Sequence, residues 1–170
     1  HDRGNEVHVV DNFFRGSIEN IQFLKKDDIH EIDMSGNNAE IMLQELLTDY
    51  NFDLIYHYAA INGTMYFYDI PERVAEVNSL GTYNLCKAID NVSQTNAISP
   101  RIIFASTSEL YGDPEEIPTT EKSKTYTRIE HDRDSYAAAK LISEFYVKLF
   151  CEKLRLSYCI LRIFNVYGAG

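Results

Sequence analysis

The sequence predicts an α/β protein with a doubly wound parallel sheet. Short β-branched or apolar runs alternate along the chain with longer segments that carry apolar residues at helical spacing. Successive strand-like runs lie a few tens of residues apart, which suits the right-handed crossovers that build a parallel sheet covered by helices. The 170 residues, 45% hydrophobic and 25% charged, have the composition of an ordinary globular domain.

Five segments are predicted as strands because they are short, apolar and bounded by polar or small residues. They are residues 7–10, a β-branched run; residues 29–34, which alternate apolar and polar side chains; residues 52–60, which end in two alanines; residues 101–105, an apolar run; and residues 158–164, the last such run. The polar, proline-bearing segment 106–134 is long for a loop inside a domain, and loops of that length are often functional.

Four segments are predicted as helices because apolar residues recur at positions three and four apart. They are residues 17–24, with Ser17 as the candidate N-cap; residues 39–47, which are amphipathic; residues 74–89; and residues 135–154.

Charge and cysteine content exclude several classes of protein. With 16 Lys+Arg against 26 Asp+Glu, the net charge is −10, so no basic stripe is available for a nucleic acid. The apolar runs are too short for a membrane span or a signal peptide. Cys86, Cys151 and Cys159 are an odd number in apolar segments, which favours reduced core residues of a cytoplasmic protein over a disulfide framework or a metal site.

Ligands of open parallel sheets bind at the carboxyl ends of the strands. An aspartate at such an end, like Asp11, can accept both ribose hydroxyls of an adenine dinucleotide and repel a 2′-phosphate, which favours NAD over NADP. A plain turn-forming role for Asp11 is the alternative, and the nearby Arg3 and Arg15 keep NADP open. The residues at these ends are Asp11, Asn12, Asp33, Met34, Ala59, Ala60, Ser106, Thr107, Ser108, Glu109 and Asn165.

Tyr136 and Lys140 lie four residues apart on one face of a predicted helix. An ammonium group near a phenol favours the phenolate, so this pair is predicted to lower the pKa of Tyr136 and to make it a base. Thr107 can hydrogen-bond a substrate oxygen beside the tyrosine, and Glu109 is a candidate second acid or base. The alternatives are a chance Tyr-x-x-x-Lys spacing, a hydroxyl that turns the chain, and a solvated carboxylate.

Six segments taken in order resemble one family, the extended short-chain dehydrogenase/reductases, and more narrowly their nucleotide-sugar epimerase, dehydratase and decarboxylase branch. They are Val-Val-Asp-Asn at 9–12, His-Tyr-Ala-Ala at 57–60, Asn-Ser-Leu-Gly-Thr-Tyr-Asn-Leu at 78–85, Ser-Thr-Ser-Glu-Leu-Tyr-Gly at 106–112, Tyr-Ala-Ala-Ala-Lys at 136–140 and Leu-Arg-Ile-Phe-Asn-Val-Tyr-Gly at 161–168. The resemblance spans nearly the whole chain and implies a Rossmann-like NAD-binding domain.

The resemblance implies a catalytic triad of Thr107, Tyr136 and Lys140. Tyr136 would take the proton of the sugar C4 hydroxyl while the C4 hydride passes to NAD. Lys140 would lower the pKa of Tyr136 and bind the nicotinamide ribose, and Thr107 would bind the substrate O4. Glu109 would be an extra acid or base, which leans the chemistry toward decarboxylation or dehydration rather than 4-epimerisation.

The resemblance also implies contacts with cofactor, substrate and a second copy of the chain. Helices 74–89 and 135–154 would form a homodimer interface through aromatic residues that are alternatively core: Tyr83, Phe145, Tyr146 and Phe150. The residues implied for NAD are Asp11 and Asn12 at the adenosine ribose, Asp33 and Met34 at the adenine, Ala59 and Ala60 along the channel, Asn78 fixing the backbone, and Phe164 and Val166 by the nicotinamide. Those implied for the nucleotide sugar are Thr107, Ser108 and Asn165.

Two features depart from the family pattern. The glycine-rich Gly-x-x-Gly-x-x-Gly turn that holds the pyrophosphate is absent, and the chain starts at His1 and stops after Gly170, with Ala169 where a proline is common. The expectation is that residues 1–170 are a partial NAD-binding domain, without its first strand and without the C-terminal substrate domain. A non-catalytic truncated or split family member, acting as a binding partner in a complex, is the alternative to an enzyme.

Overall fold

The computed structural model describes residues 4–96 and 98–167, so Arg3 and the terminal residues 168–170 lie outside the described part. Within it, strands and helices alternate as an α/β protein. The strands are β1 (Val9–Asp11), β2 (Ile29–Glu31), β3 (Leu54–His57), β4 (Arg101–Thr107) and β5 (Tyr158–Ile163). The helices are α1 (Ala39–Asp49), α2 (Thr64–Asp69), α3 (Pro71–Thr95) and α4 (Asp134–Leu154).

All strand pairs among the described residues are parallel, which confirms the predicted fold class. β1 pairs with β2, with Val9 opposite Ile29. β4 lies between β3 and β5 in a separate three-stranded sheet, with Ile102 opposite both Ile55 and Tyr158. The carboxyl ends of β3, β4 and β5 therefore meet at one edge, where the sequence places the candidate catalytic residues.

The main core lies between the helices and one face of the β3–β4–β5 sheet. Ile102 and Phe104 of β4 point into it and are almost fully buried against Ile89 of α3 and Val147 of α4. Burying each such side chain stabilises the fold by roughly 1.5–3 kcal/mol. On the opposite face, Leu54, Tyr56, Leu161 and Ile163 are exposed.

The predicted helix at residues 17–24 is wrong. A single 3-10 turn, Ile18–Ile21, stands there instead, with Ser17 Oγ accepting a hydrogen bond from the Glu19 amide at 3.4 Å. Of the periodic residues, Leu24 is buried but Ile18 is exposed and Ile21 only half-buried, so too little apolar surface is covered to stabilise a helix this short.

Several element boundaries differ from the sequence-based expectation. β2 ends at Glu31 because Asp33 accepts a hydrogen bond from the Ser35 amide at 2.9 Å and turns the chain. β4 continues to Thr107, so this residue belongs to the strand rather than following it. Helix α2 was not predicted: its Thr-Met-Tyr-Phe-Tyr-Asp sequence has strand-like aromatic composition. Helix α3 starts at Pro71, a favoured first position, and extends past residue 89.

The three cysteines are free thiols, as predicted, with Cys86 and Cys151 buried and Cys159 half-buried. Burial raises the pKa of Cys86 to about 12 and that of Cys151 to about 11, which keeps both protonated and unreactive. In the described part of the chain, the helices are too short or too polar to cross a membrane. Nor do the described histidine, cysteine and acidic side chains gather in threes as metal ligands.

Candidate active site

An open cleft of about 780 Å³ lies at the carboxyl ends of β3, β4 and β5. Its walls come from the ends of β4 and β5, the start of α4 and the segment after β3. Ten residues that the sequence placed at strand ends or in the candidate site line it together: Ala60, Ser106, Thr107, Ser108, Glu109, Tyr136, Lys140, Phe164, Asn165 and Val166.

Thr107 is the last residue of β4 and is nearly buried. Its Oγ1 accepts a hydrogen bond from the Glu109 amide at 3.2 Å and so caps the 3-10 turn Ser108–Tyr111. Thr107 therefore does turn the chain, as the alternative role for its hydroxyl stated. It leaves the hydroxyl proton free to donate to another oxygen in the cleft.

Tyr136 lies in the first turn of α4, buried against Phe67 of α2 with the two rings stacked at 4.7 Å. Burial raises the pKa of Tyr136 above its ordinary value. Hydrogen bonding with the Thr107 side chain opposes this rise, and the negative charge of Glu109 adds to it. Lys140 is not among the causes of this shift, so the lowering of the Tyr136 pKa by Lys140 stays a prediction.

The ammonium group of Lys140 binds a backbone carbonyl oxygen in this structure. Its ammonium donates a hydrogen bond to the Ala105 carbonyl oxygen at 2.9 Å and lies 4.9 Å from the centre of the Phe104 ring. Burial lowers the pKa of Lys140 to about 8. The neighbouring His57 is also buried and shares a hydrogen bond of 2.8 Å with Thr82; burial, with the charge of Lys140, lowers the pKa of His57 to about 3.

A buried ion pair ties the wall of the cleft together. Arg162 of β5 donates two hydrogen bonds to Glu144 of α4, at 2.9 and 2.8 Å, and Ser106 of β4 donates a third at 2.6 Å. Glu144 lies two helical turns beyond Tyr136 on the same side of α4. This network therefore fixes the helix that carries Tyr136 and Lys140 against the strand that carries Thr107.

At the predicted adenosine end, Asp11 closes β1 and shapes the turn that follows. Its Oδ1 accepts a hydrogen bond from the Phe13 amide at 2.7 Å. Gly16 borders the second oxygen: a Cβ added there would lie 3.4 Å from Asp11 Oδ2, an ordinary van der Waals contact. Asn12 Oδ1 accepts from the Phe14 amide at 3.1 Å. Arg15 and Gly16, which follow, line the cleft.

Other residues nominated for the cofactor do not line the cleft: Asp11, Asn12, Asp33, Met34, Ala59 and Asn78. Both Asp33 oxygens are occupied, Oδ1 by Ser35 and Oδ2 by Arg73 at 2.7 Å, and these contacts outweigh burial to lower the pKa of Asp33. Asn78 Nδ2 donates to the Ile61 carbonyl at 2.9 Å, which fixes the backbone beside the cleft.

Sequence reasoning missed two residues that shape the site. Phe67 belongs to the unpredicted helix α2 and forms the wall against which Tyr136 stacks. Arg133 precedes α4 and grips Glu109 with two hydrogen bonds. Nothing in the local pattern marks either contact, because each joins segments far apart in the chain.

Comparison of the sequence with known proteins shows which protein family the chain belongs to. The model of the NAD dependent epimerase/dehydratase family matches residues 1–170, and the chain belongs to that family, whose cofactor is NAD. It is 30% identical over 166 residues to a UDP-glucuronic acid decarboxylase 1 of Arabidopsis thaliana, covering 98% of this chain and 35% of that protein. It is 34% identical over 137 residues to a GDP-mannose 4,6 dehydratase 2 of Caenorhabditis elegans, covering 81% of this chain and 33% of that one.

Among solved structures, the UDP-glucose 4-epimerase of Thermotoga maritima in complex with UDP-glucose superimposes with a TM-score of 0.80 at 26% identity. The match covers 98% of this chain and 50% of that one. The chain thus spans about a third of these curated relatives and half of this solved one.

Proposed function

We propose that the protein containing this chain oxidises C4 of a nucleotide sugar with NAD and then completes an epimerisation, dehydration or decarboxylation. The single observation that supports this most is the convergence of Thr107, Tyr136 and Lys140, from β4 and α4, on one cleft. In this proposal, residues 1–170 supply the NAD-binding part of the protein.

Tyr136 is the proposed base. Its phenolate takes the proton of the C4 hydroxyl, the O–H electrons form the C4 carbonyl, and the C4 hydride departs, which yields a 4-keto sugar. Since Tyr136 is buried and its pKa is raised, the phenolate must gain stabilisation when the cleft is filled. The Thr107 hydroxyl supplies one hydrogen bond, and the Lys140 ammonium supplies positive charge if it exchanges the Ala105 carbonyl for the ribose.

The described residues fit NAD at both of its ends. Asp11 uses one oxygen in its own turn and has the other available for the adenosine ribose, beside Gly16, and Phe164 and Val166 line the same cleft as Tyr136, for the nicotinamide. When bound, NAD supplies the acceptor for the C4 hydride. Asp33 would contribute to NAD binding by shaping the turn after β2 rather than by direct contact, since its carboxylate is already paired with Arg73.

Glu109 favours one group of reactions within the family in this proposal. A carboxylate in the cleft can serve the loss of water or of CO2 from a 4-keto sugar, for which simple 4-epimerisation has no need. The decarboxylase and dehydratase among the relatives agree with this preference. We therefore place decarboxylation or dehydration ahead of epimerisation.

The test is a substrate screen on the full-length protein with UDP-glucuronic acid, GDP-mannose and UDP-glucose, read by product mass. Tyr136→Phe is expected to lower turnover by about 100- to 10,000-fold while NAD binding persists. Tyr158→Phe, at the opposite end of β5, is the matched control and is expected to retain activity. Full turnover by Tyr136→Phe would refute the assignment of the base.

We also propose a homodimer through α3 and α4. Phe145 and Leu149 of α4 and Leu80 of α3 are exposed apolar residues on this helix pair. Tyr83, by contrast, packs against Tyr146 at 5.3 Å, so part of the nominated aromatic set forms contacts within the chain. Sedimentation of the full-length protein should give a dimer, and the double substitution Phe145→Glu with Leu149→Glu should give a monomer; an unchanged dimer would refute this interface.

A further inference from the structure

Arg133 and Glu109 form a two-pronged ion pair at the mouth of the cleft. Arg133 Nη2 donates to Glu109 Oε1 at 2.7 Å, and Arg133 Nε donates to Oε2 at 3.1 Å. Glu109 lies in the 3-10 turn that follows Thr107, and Arg133 directly precedes α4, three residues before Tyr136. The pair therefore bridges the two segments that carry the proposed base and its hydroxyl partner.

The position of Arg133 is unfavourable for the helix itself. The N-terminus of a helix carries partial positive charge, so a cation there opposes the helix dipole. Arg133 also provides no side-chain cap to α4. The paired hydrogen bonds with Glu109 are the main contact that offsets this cost, with smaller charge interactions from Tyr68 and Asp134. A planar guanidinium is the group that can bind a carboxylate by two parallel hydrogen bonds.

The pairing of Arg133 with Glu109 affects Tyr136 because, among the described residues, few other charges lie near its hydroxyl. Glu109 is the carboxylate whose charge disfavours the phenolate. Asp134, the next acid on α4, is already held by the Arg128 amide at 2.7 Å and by its guanidinium at 3.5 Å. Lys140 is engaged by a carbonyl, Phe67 and Thr107 are uncharged, and Tyr68 of α2 faces Arg133. Arg133 is thus the cation placed to offset Glu109.

We propose that Arg133 is a positioning residue for Glu109: its fork holds the carboxylate at the mouth of the cleft and offsets that carboxylate's charge beside Tyr136. The catalytic consequence rests on the proposed function, whereas the electrostatic consequence does not. Without Arg133, the unpaired Glu109 makes the Tyr136 phenolate harder to form and no longer meets the substrate in one orientation.

The first experiment titrates Tyr136 in the full-length protein by NMR of isotopically labelled tyrosine, with the resonance assigned by its loss in Tyr136→Phe. Arg133→Met should raise the titration midpoint by about half a pH unit, the scale of an exposed ion pair. Glu109→Gln should lower it. In the Glu109→Gln background, removing Arg133 should raise the midpoint by less than it does when Glu109 is present, because only the charge of Arg133 itself is then lost and no carboxylate is released from its position. Lys148→Met, which removes a paired cation from the far half of α4, is the control and should leave the midpoint unchanged.

Two results would overturn the proposal: an unchanged midpoint in Arg133→Met, or an equal shift on removing Arg133 with and without Glu109. A second readout is the pH profile of turnover, in which the acidic limb of Arg133→Met should move upward with the Tyr136 midpoint, and Arg133→Lys should restore the limb but not the full kcat. If the screen finds no turnover with any nucleotide sugar, the proposed function fails, and the titration still decides the role of Arg133.

Discussion

Removing the carboxylate of Glu144 should destabilise the protein more than removing any exposed charged side chain of α4. Glu144 is nearly buried and accepts three hydrogen bonds, two from Arg162 and one from Ser106. Glu144→Ala leaves the half-buried guanidinium without its carboxylate partner, although Tyr111 still lies beside it, and leaves the Ser106 hydroxyl without its acceptor. Breaking one side of a buried pair costs about 3–5 kcal/mol, and partial exposure of Arg162 places the expectation at about 3 kcal/mol.

The assay is equilibrium unfolding in urea followed by far-ultraviolet circular dichroism. The matched control is Glu152→Ala on the same helix, whose exposed pair with Lys148 is worth about 0.3–0.5 kcal/mol. The double variant Glu144→Leu with Arg162→Met should recover much of the loss, since apolar residues of similar size can replace a buried ion pair. A loss for Glu144→Ala no larger than that of the control would refute the reasoning.

Three further predictions follow from the buried groups. Burial lowers the pKa of His57 to about 3, against 6.5 when exposed, so the folded state binds fewer protons than the unfolded state and its stability falls as the pH drops below 6.5. In urea titrations, His57→Gln should reduce the slope of the unfolding free energy against pH by about 1.4 kcal/mol per pH unit between pH 6 and 4. An unchanged slope would contradict this. The hydrogen bonds from Lys153 lower the pKa of the buried Asp90, so the stabilisation by this pair is present above pH 3.8 and is lost as the pH falls. Asp90→Asn should therefore be less stable than the unsubstituted protein at pH 7 and should lose less stability below pH 4. If the unfolding free energies of the two proteins fall in parallel as the pH drops, the pair does not act in this way. Phe67→Ala should admit water to the Tyr136 ring and bring its pKa down toward 10, measured by the same NMR titration, whereas an unmoved pKa would show that Phe67 does not bury the phenol.

The alternation of elements could be predicted because the apolar periodicity is local. Residues 101–105 and 135–154 are buried on one side in the pattern that their spacing indicates. The rule that parallel strands end at one edge placed Thr107 and Glu109 at the cleft, which Tyr136 of the following helix also lines. The failure at residues 17–24 has the converse cause. Helical spacing is present there, but Leu24 is the one periodic side chain of the segment that is buried, and Ile18 is exposed.

The electrostatics of the site could not be predicted from spacing. Tyr136 and Lys140 share a helix face, as four-residue spacing requires, yet the Lys140 amine binds a carbonyl of β4, a contact that only the tertiary structure defines. Asp33 is likewise captured by Arg73, forty residues away in the chain. Long-range partners decide the charge state of a side chain, whereas the local sequence decides only which way it points.

The most direct test of the central claim is turnover of a nucleotide sugar carrying deuterium at C4, using whichever substrate the screen identifies. If Tyr136, Thr107 and Lys140 promote oxidation at C4, a single turnover should show a primary kinetic isotope effect, and the deuterium should transfer to NAD rather than exchange with water. Product formation at equal rates for both isotopes with no transfer to NAD during the single turnover, or with the label released to solvent, would contradict the account.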